Sequence, residues 1–212
     1  MIETLAALFV AERSVYMDAP AVDTWPASRD ARLYAGPHRV VAHPPCERWG
    51  RFWSGGPRGP VRYRLGEDDG CFESALGAVR VYGGVLEHPC DSRAWKAFGL
   101  VEPRHAGGWT PADVFGGITC CVEQGHYGHR GRKPTWLYAV GIVPSELQWG
   151  PSGVTWADKI PVENMCHRER AATPIAFRDL LLTLARTRAT TVTGIGERAR
   201  GQPPVVPGVV EP

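Results

Sequence analysis

No run of about 20 apolar residues occurs in the 212-residue chain, so no membrane-spanning helix and no membrane partner are expected. No Gly-rich phosphate loop and no Gly-x-Ser-x-Gly elbow are present, which sets aside P-loop nucleotide hydrolysis and serine esterase chemistry. Charge of one sign is also missing: 24 basic residues face 22 acidic ones, a net charge of +2, so bulk charge does not demand a nucleic-acid partner. Six cysteines occur (Cys46, Cys71, Cys90, Cys120, Cys121 and Cys166), but no two form a Cys-x-x-Cys pair, and no metal ligand is assigned from spacing. Met1-Ile2-Glu3-Thr4 carries an acid where a signal peptide carries bases, so a cytoplasmic location with free thiols is expected.

Hydrophobic content of 43% and charged content of 22% suit one globular core. The reading is a single α/β domain over 1–188 and a flexible Pro/Gly-rich tail over 189–212. Ala6–Val10 reads as a first strand. Residues 18–37 read as irregular, with a helical turn around Ala27–Leu33. Arg39–His43 is a β-branched strand stopped by Pro44-Pro45. Glu67-Asp68-Asp69 opens a helix whose apolar face is Phe72, Ala75, Leu76 and Val79, and Gly83-Gly84 closes it. Val85–Glu87 is the next strand.

Strand, helix, strand implies a right-handed crossover and parallel neighbours, with ligands beyond the strand C-termini. Cys46 and Glu87 follow two such ends. The fold expected is a Rossmann-like, mostly parallel sheet. Ile118–Val122 and Thr135–Val140 read as later strands, and Thr173-Pro174 as N-cap and first residue of a helix carrying Phe177, Leu180, Leu181 and Leu184.

A thiol attacks as its thiolate and needs positive surroundings, which Arg48 and Arg51 can supply to Cys46. A carboxylate at a buried strand end, as at Glu87, can act in proton transfer. The loop Glu123–Pro134 holds His126, Tyr127, His129, Arg130, Arg132 and Lys133, a set able to bind phosphate. Trp49, Trp53, Trp95 and Trp109 flank these segments and offer faces for base stacking. A different reading joins His43, His88, His126 and His129 with Cys46 in a metal site, and hence a metal-dependent hydrolase.

Pro44-Pro45-Cys46 followed by Glu87-His88-Pro89 resembles the DNA cytosine-5 methyltransferases, whose Pro-Cys loop and Glu-Asn strand end come in that order. Gln124–His129, with Arg130, Arg132, Lys133 and Thr135, is similar to a Tyr-Gly-His turn and Lys-x-Thr step of phage-type relatives. The resemblance implies a trimmed methyltransferase-like domain acting on DNA or a pyrimidine nucleotide. Cys46 would add to carbon 6 of the ring, and Glu87 would anchor and protonate it. Pro45, Arg48, His88, Tyr127, His129, Arg130, Arg132 and Lys133 would hold substrate, and S-adenosylmethionine would give the methyl group. The family's glycine-rich cofactor loop has no counterpart in Ala11–Tyr16, and His88 stands where the family has Asn. The His43–Cys46 and Leu86–Pro89 strings are also similar to small phage and prophage proteins, which implies a phage role in the host cytoplasm. The alternative is a non-catalytic phage nucleic-acid-binding protein with a degenerate sheet of this kind.

Overall fold

A computed structural model describes residues 1–55, 63–153 and 165–189. Seven strands form one mixed sheet: β1 (Leu5–Val10), β2 (Val22–Pro26), β3 (Arg39–Ala42), β4 (Gly84–Pro89), β5 (Thr110–Pro111), β6 (Ile118–Glu123) and β7 (Pro134–Val140). Their order is β2-β1-β3-β4-β7-β6-β5. The pairs β2–β1, β1–β3 and β3–β4 are parallel, whereas β4–β7, β7–β6 and β6–β5 are antiparallel. The fold is α/β, but where a mostly parallel sheet was expected, parallel pairing holds only in one half of it. The short connections from β5 to β6 and from β6 to β7 make those two pairs antiparallel.

Helices are α1 (Cys71–Tyr82), α2 (Arg93–Ala97), α3 (His167–Ala171) and α4 (Ile175–Arg186). Helix α1 is the crossover from β3 to β4. Asp68 begins it by accepting from the backbone N–H of Phe72 at 2.8 Å and of Gly70 at 3.2 Å. Its stripe Phe72, Ala75, Leu76 and Val79 is buried on one face of the sheet with Ala6, Val40, Leu86, Cys121 and Trp136. On the other face Phe177, Leu181 and Leu184 of α4 pack with Leu5, Val41, Val85, Cys120 and Leu137. Helix α4 starts one residue later than expected: Pro174 is its N-cap and makes no side-chain capping bond.

Strand β2 lies inside the segment read as irregular. Val22-Asp23-Thr24-Trp25-Pro26 has no apolar run, and only Pro26 is buried. As an edge strand it tolerates both the polar residues and the proline. The short helical turns at Ala27–Arg29 and Ala31–Leu33 follow where a turn was expected. Gly84 permits the close β3–β4 contact: its φ is +124°, and a Cβ there would meet the Val40 carbonyl oxygen at 1.9 Å. The tail expected to be flexible lies from 190 onward outside the described residues. Among the described residues no helix is long and apolar enough to cross a membrane.

Candidate functional site

Strand β1 runs on to β2 on one side, whereas its other neighbour, β3, continues to β4 on the opposite side. The C-terminal ends of β1 and β3 therefore flank a topological switch point, the crevice where open α/β sheets bind ligands. Tyr16 reaches it from the turn after β1, and His43 follows β3. The Tyr16 hydroxyl lies 2.8 Å from His43 Nε2, and His43 Nδ1 lies 2.9 Å from Glu87 Oε2. The second carboxylate oxygen, Oε1, accepts from Gln124 Nε2 at 3.1 Å. Gln124 Nε2 also donates to Thr135 Oγ at 3.0 Å.

Protonation states follow from the network. Burial and the neighbouring Glu87 charge push the Tyr16 phenol well above its ordinary range, so it stays protonated and donates to His43 Nε2. His43 then carries its proton on Nδ1 and donates it to Glu87. Burial opposes ionisation of Glu87, but the hydrogen bond from His43, with Lys133 nearby, outweighs it and holds the carboxyl below its ordinary value. Glu87 is thus a carboxylate held by two donors at the end of β4.

Cys46 lies beside it in a tight turn, where its carbonyl accepts from the N–H of Trp49 at 3.1 Å and of Gly50 at 2.8 Å. Burial, then the Glu87 charge and then Glu47, push its thiol up to about 11, with Lys133 acting in the opposite sense. The Glu87 charge thus acts on Cys46, whereas Arg48 and Arg51, the cations expected to activate the thiol, are engaged elsewhere. Arg48 stacks on the ring of Tyr63 at 3.5 Å, and Arg51 lies over Phe52. The cation that acts on both site residues is Lys133, in a left-handed backbone conformation with φ 43°. Its ammonium donates to the Ala172 carbonyl at 2.8 Å.

The remaining substrate residues named from sequence do not converge. Pro45 is exposed on the loop. His88 alternates to the α1 side of β4, where it is buried between Phe72 and Trp95 and its Nδ1 lies 2.7 Å from Ser92 Oγ. Burial lowers its pKa to about 4, so it is a neutral core histidine. Tyr127 packs on Phe177, and its hydroxyl accepts from Gln148 N–H at 3.2 Å. His129 is buried, accepting from Gly131 N–H at 3.0 Å and reaching the Glu169 carbonyl at 3.3 Å. Arg130 pairs with Glu169 at 2.6 Å, and Arg132 grips Glu123 through Nε at 2.8 and 3.0 Å. Both arginines meant for phosphate are thus engaged with acids. Trp49 and Trp95 belong to the core, Trp109 bonds the Ser145 carbonyl at 3.0 Å, and Trp53 is half-buried.

His43, His88, His126 and His129 do not gather around Cys46. His43 bonds Tyr16 and Glu87, and His126 reaches the Gly150 carbonyl at 3.0 Å. Sequence reasoning missed Tyr16 and Gln124 as members of the site. Gln124 had one visible signal, its position directly after an apolar strand, as with Glu87.

S-adenosylmethionine, implied by the family resemblance, calls for a backbone cradle after β1. Ala11–Tyr16 has no glycine, and the N–H groups of Ser14 and Met17 close local turns onto Ala11 and Ser14. The Tyr16 ring that follows is buried, with its hydroxyl on His43. These residues do not form such a cradle.

No protein-family profile matches the chain, and neither the curated proteins nor the solved structures searched contain a match.

Proposed function

We propose that the protein is a pyrimidine-modifying enzyme in which Cys46 adds to the base ring and Glu87 anchors the base and relays the thiol proton. The fold assignment behind this reading is a trimmed Rossmann-like sheet with its ligand at the switch point between β1 and β3. What carries the reading is the Glu87 carboxylate, held at the end of β4 by His43 and Gln124, with Cys46 in the turn that follows the neighbouring strand β3 and its thiol raised by burial and then by the Glu87 charge. A carboxylate so placed can take the thiol proton as the sulfur adds. The Cys46 sulfur bonds to carbon 6 of a cytosine, and the electron pair moves through the ring to N3. The thiol proton passes to Glu87 and from it to N3, so the adduct is neutral. Carbon 5 becomes the nucleophilic end of an enamine, ready for an electrophile.

Gln124 supports the base assignment. Its amide orientation is set by donation to Glu87, and this leaves Oε1 buried without a donor. An exocyclic amine of cytosine is a donor of the right kind for Glu87 and Gln124 together. Tyr16 and His43 keep the carboxylate aimed and ionised. Whether the base is presented in DNA or as a nucleotide does not alter this step.

The addition is written without a methyl donor, and S-adenosylmethionine is tested separately by calorimetric titration. The test of the addition is exchange of the carbon-5 hydrogen of cytosine with deuterated water, which needs no donor. Wild-type protein is expected to exchange it in single-stranded oligonucleotides or in deoxycytidine monophosphate, and Cys46→Ala is expected to be silent. Exchange by a folded Cys46→Ala protein, or none by the wild type with either substrate, overturns the reading. The second of these results is the one a non-catalytic binding protein gives.

A further inference from the structure

The α1 side of the sheet carries a second cluster, separate from Cys46 and Glu87. Glu87 pairs across the sheet with Leu137, and Leu137 with Cys120, all on the α4 face. One residue along, His88 pairs with Trp136 and Trp136 with Cys121, on the opposite face. Cys90 follows the end of β4, tied by its N–H to the Pro134 carbonyl at 3.1 Å, and its side chain packs on that same face. His105 comes in from the connection between α2 and β5.

The two sulfurs and one His105 ring nitrogen all lie within 4.8 Å of one another. Cys90 Sγ is 3.6 Å from His105 Nδ1. Zinc–sulfur and zinc–nitrogen bonds of about 2.3 and about 2.0–2.1 Å at a tetrahedral angle put the two ligand atoms about 3.6 Å apart. His105 Nε2 faces Asp91 Oδ1 at 3.7 Å, the outer carboxylate that commonly orients a metal-bound imidazole. Cys121 is buried, whereas the His105 side chain is 69% exposed. The indole N–H of Trp136, cross-strand neighbour of Cys121, is buried with no partner of good hydrogen-bond geometry. A thiolate on Cys121 supplies an acceptor beside it.

We infer that Cys90, His105 and Cys121 bind one zinc ion, with Asp91 orienting His105 and water in the fourth position. Two thiolates and an imidazole suit zinc over magnesium or calcium, which prefer oxygen. Binding releases the two thiol protons, so the metal exchanges one dipositive charge for two protons. The ion would join the end of β4, the middle of β6 and the connection between α2 and β5.

The test uses the full chain, purified with reductant and without chelator, with Zn2+ and Co2+ as probes. The expected result is one tightly held zinc per chain by elemental analysis. Exchange into Co2+ should give the intense visible bands and sulfur charge-transfer absorption of a tetrahedral thiolate site. His105→Ala changes an exposed side chain, so its fold is retained; it and Cys90→Ser should each weaken the metal at least about 100-fold. Asp91→Asn should weaken it about 10-fold. Failure to bind either ion, an octahedral cobalt spectrum, affinity unchanged in folded His105→Ala and Cys90→Ser, or a Cys90–Cys121 disulfide in the reduced preparation would each overturn the site.

Discussion

Replacing Glu87 by Gln should make Cys46 a better general nucleophile while destroying its proposed use. At pH 8 a thiol titrating at about 11 is ~0.1% thiolate, against ~10% for one at the ordinary 9.0, a roughly 100-fold deficit. Burial is the largest cause of the rise and Glu87 the second, so Glu87 supplies less than half of the upward push. Removing its charge should therefore lower the midpoint by on the order of one pH unit and raise the thiolate fraction by on the order of tenfold. A less basic thiolate is also less nucleophilic, with a Brønsted slope of about 0.4–0.5, so the alkylation rate gains on the order of fourfold. The assay is iodoacetamide alkylation across pH, read at the Cys46 peptide by mass spectrometry, because six cysteines are free. Lys133→Met supplies the opposite sign, since Lys133 lowers the thiol pKa and its loss should slow alkylation. A wild-type midpoint at or below 9, or a profile indifferent to both substitutions, refutes the placement of these charges around Cys46.

His88 is buried and neutral, with a folded pKa of about 4 against an ordinary 6.5. A depressed folded value favours the native state above the unfolded pKa, so stability should fall by up to ~3 kcal/mol as pH drops from about 6.5 to about 4. Urea denaturation across that range checks it, and His88→Gln should flatten the slope. Arg132→Ala leaves Glu123, whose side chain is 8% exposed, without its ion-pair partner and should cost about 1–3 kcal/mol in the same assay; an effect below about 0.3 kcal/mol contradicts this. Gly84→Ala drives a Cβ into the Val40 carbonyl and should cost more than about 3 kcal/mol or prevent folding, seen as loss of a cooperative thermal transition.

Local chemistry made β1, β3, β4, β6, β7, α1 and α4 legible, because each has a compact apolar run or a 3.6-residue stripe bounded by Pro, Gly or acids. Strand β2 was not, because its pairing with β1 comes from sheet order rather than from its own residues. The adjacency of β3 and β4, whose ends Cys46 and Glu87 mark, followed from one crossover. The companions of Glu87 did not: Tyr16 and Gln124 lie 71 and 37 positions away, the first arriving from the turn after β1 and the second through the antiparallel order β4-β7-β6. Arg130 and Arg132 looked available for phosphate because their acidic partners, Glu169 and Glu123, are invisible to a linear reading. The Cys90, His105 and Cys121 cluster escaped for the same reason, since sheet register brings together ligands that have no short spacing.

The coupling of thiol and carboxylate is tested most directly by measuring carbon-5 hydrogen exchange of cytosine in wild-type and Glu87→Gln proteins beside their Cys46 alkylation rates. The account predicts opposite movements: alkylation rises on the order of fourfold, while exchange falls by about 100-fold or more, the usual scale for losing a proton-transfer group. Exchange that rises with alkylation in Glu87→Gln would contradict it, because Glu87 would then be only a charge that restrains Cys46.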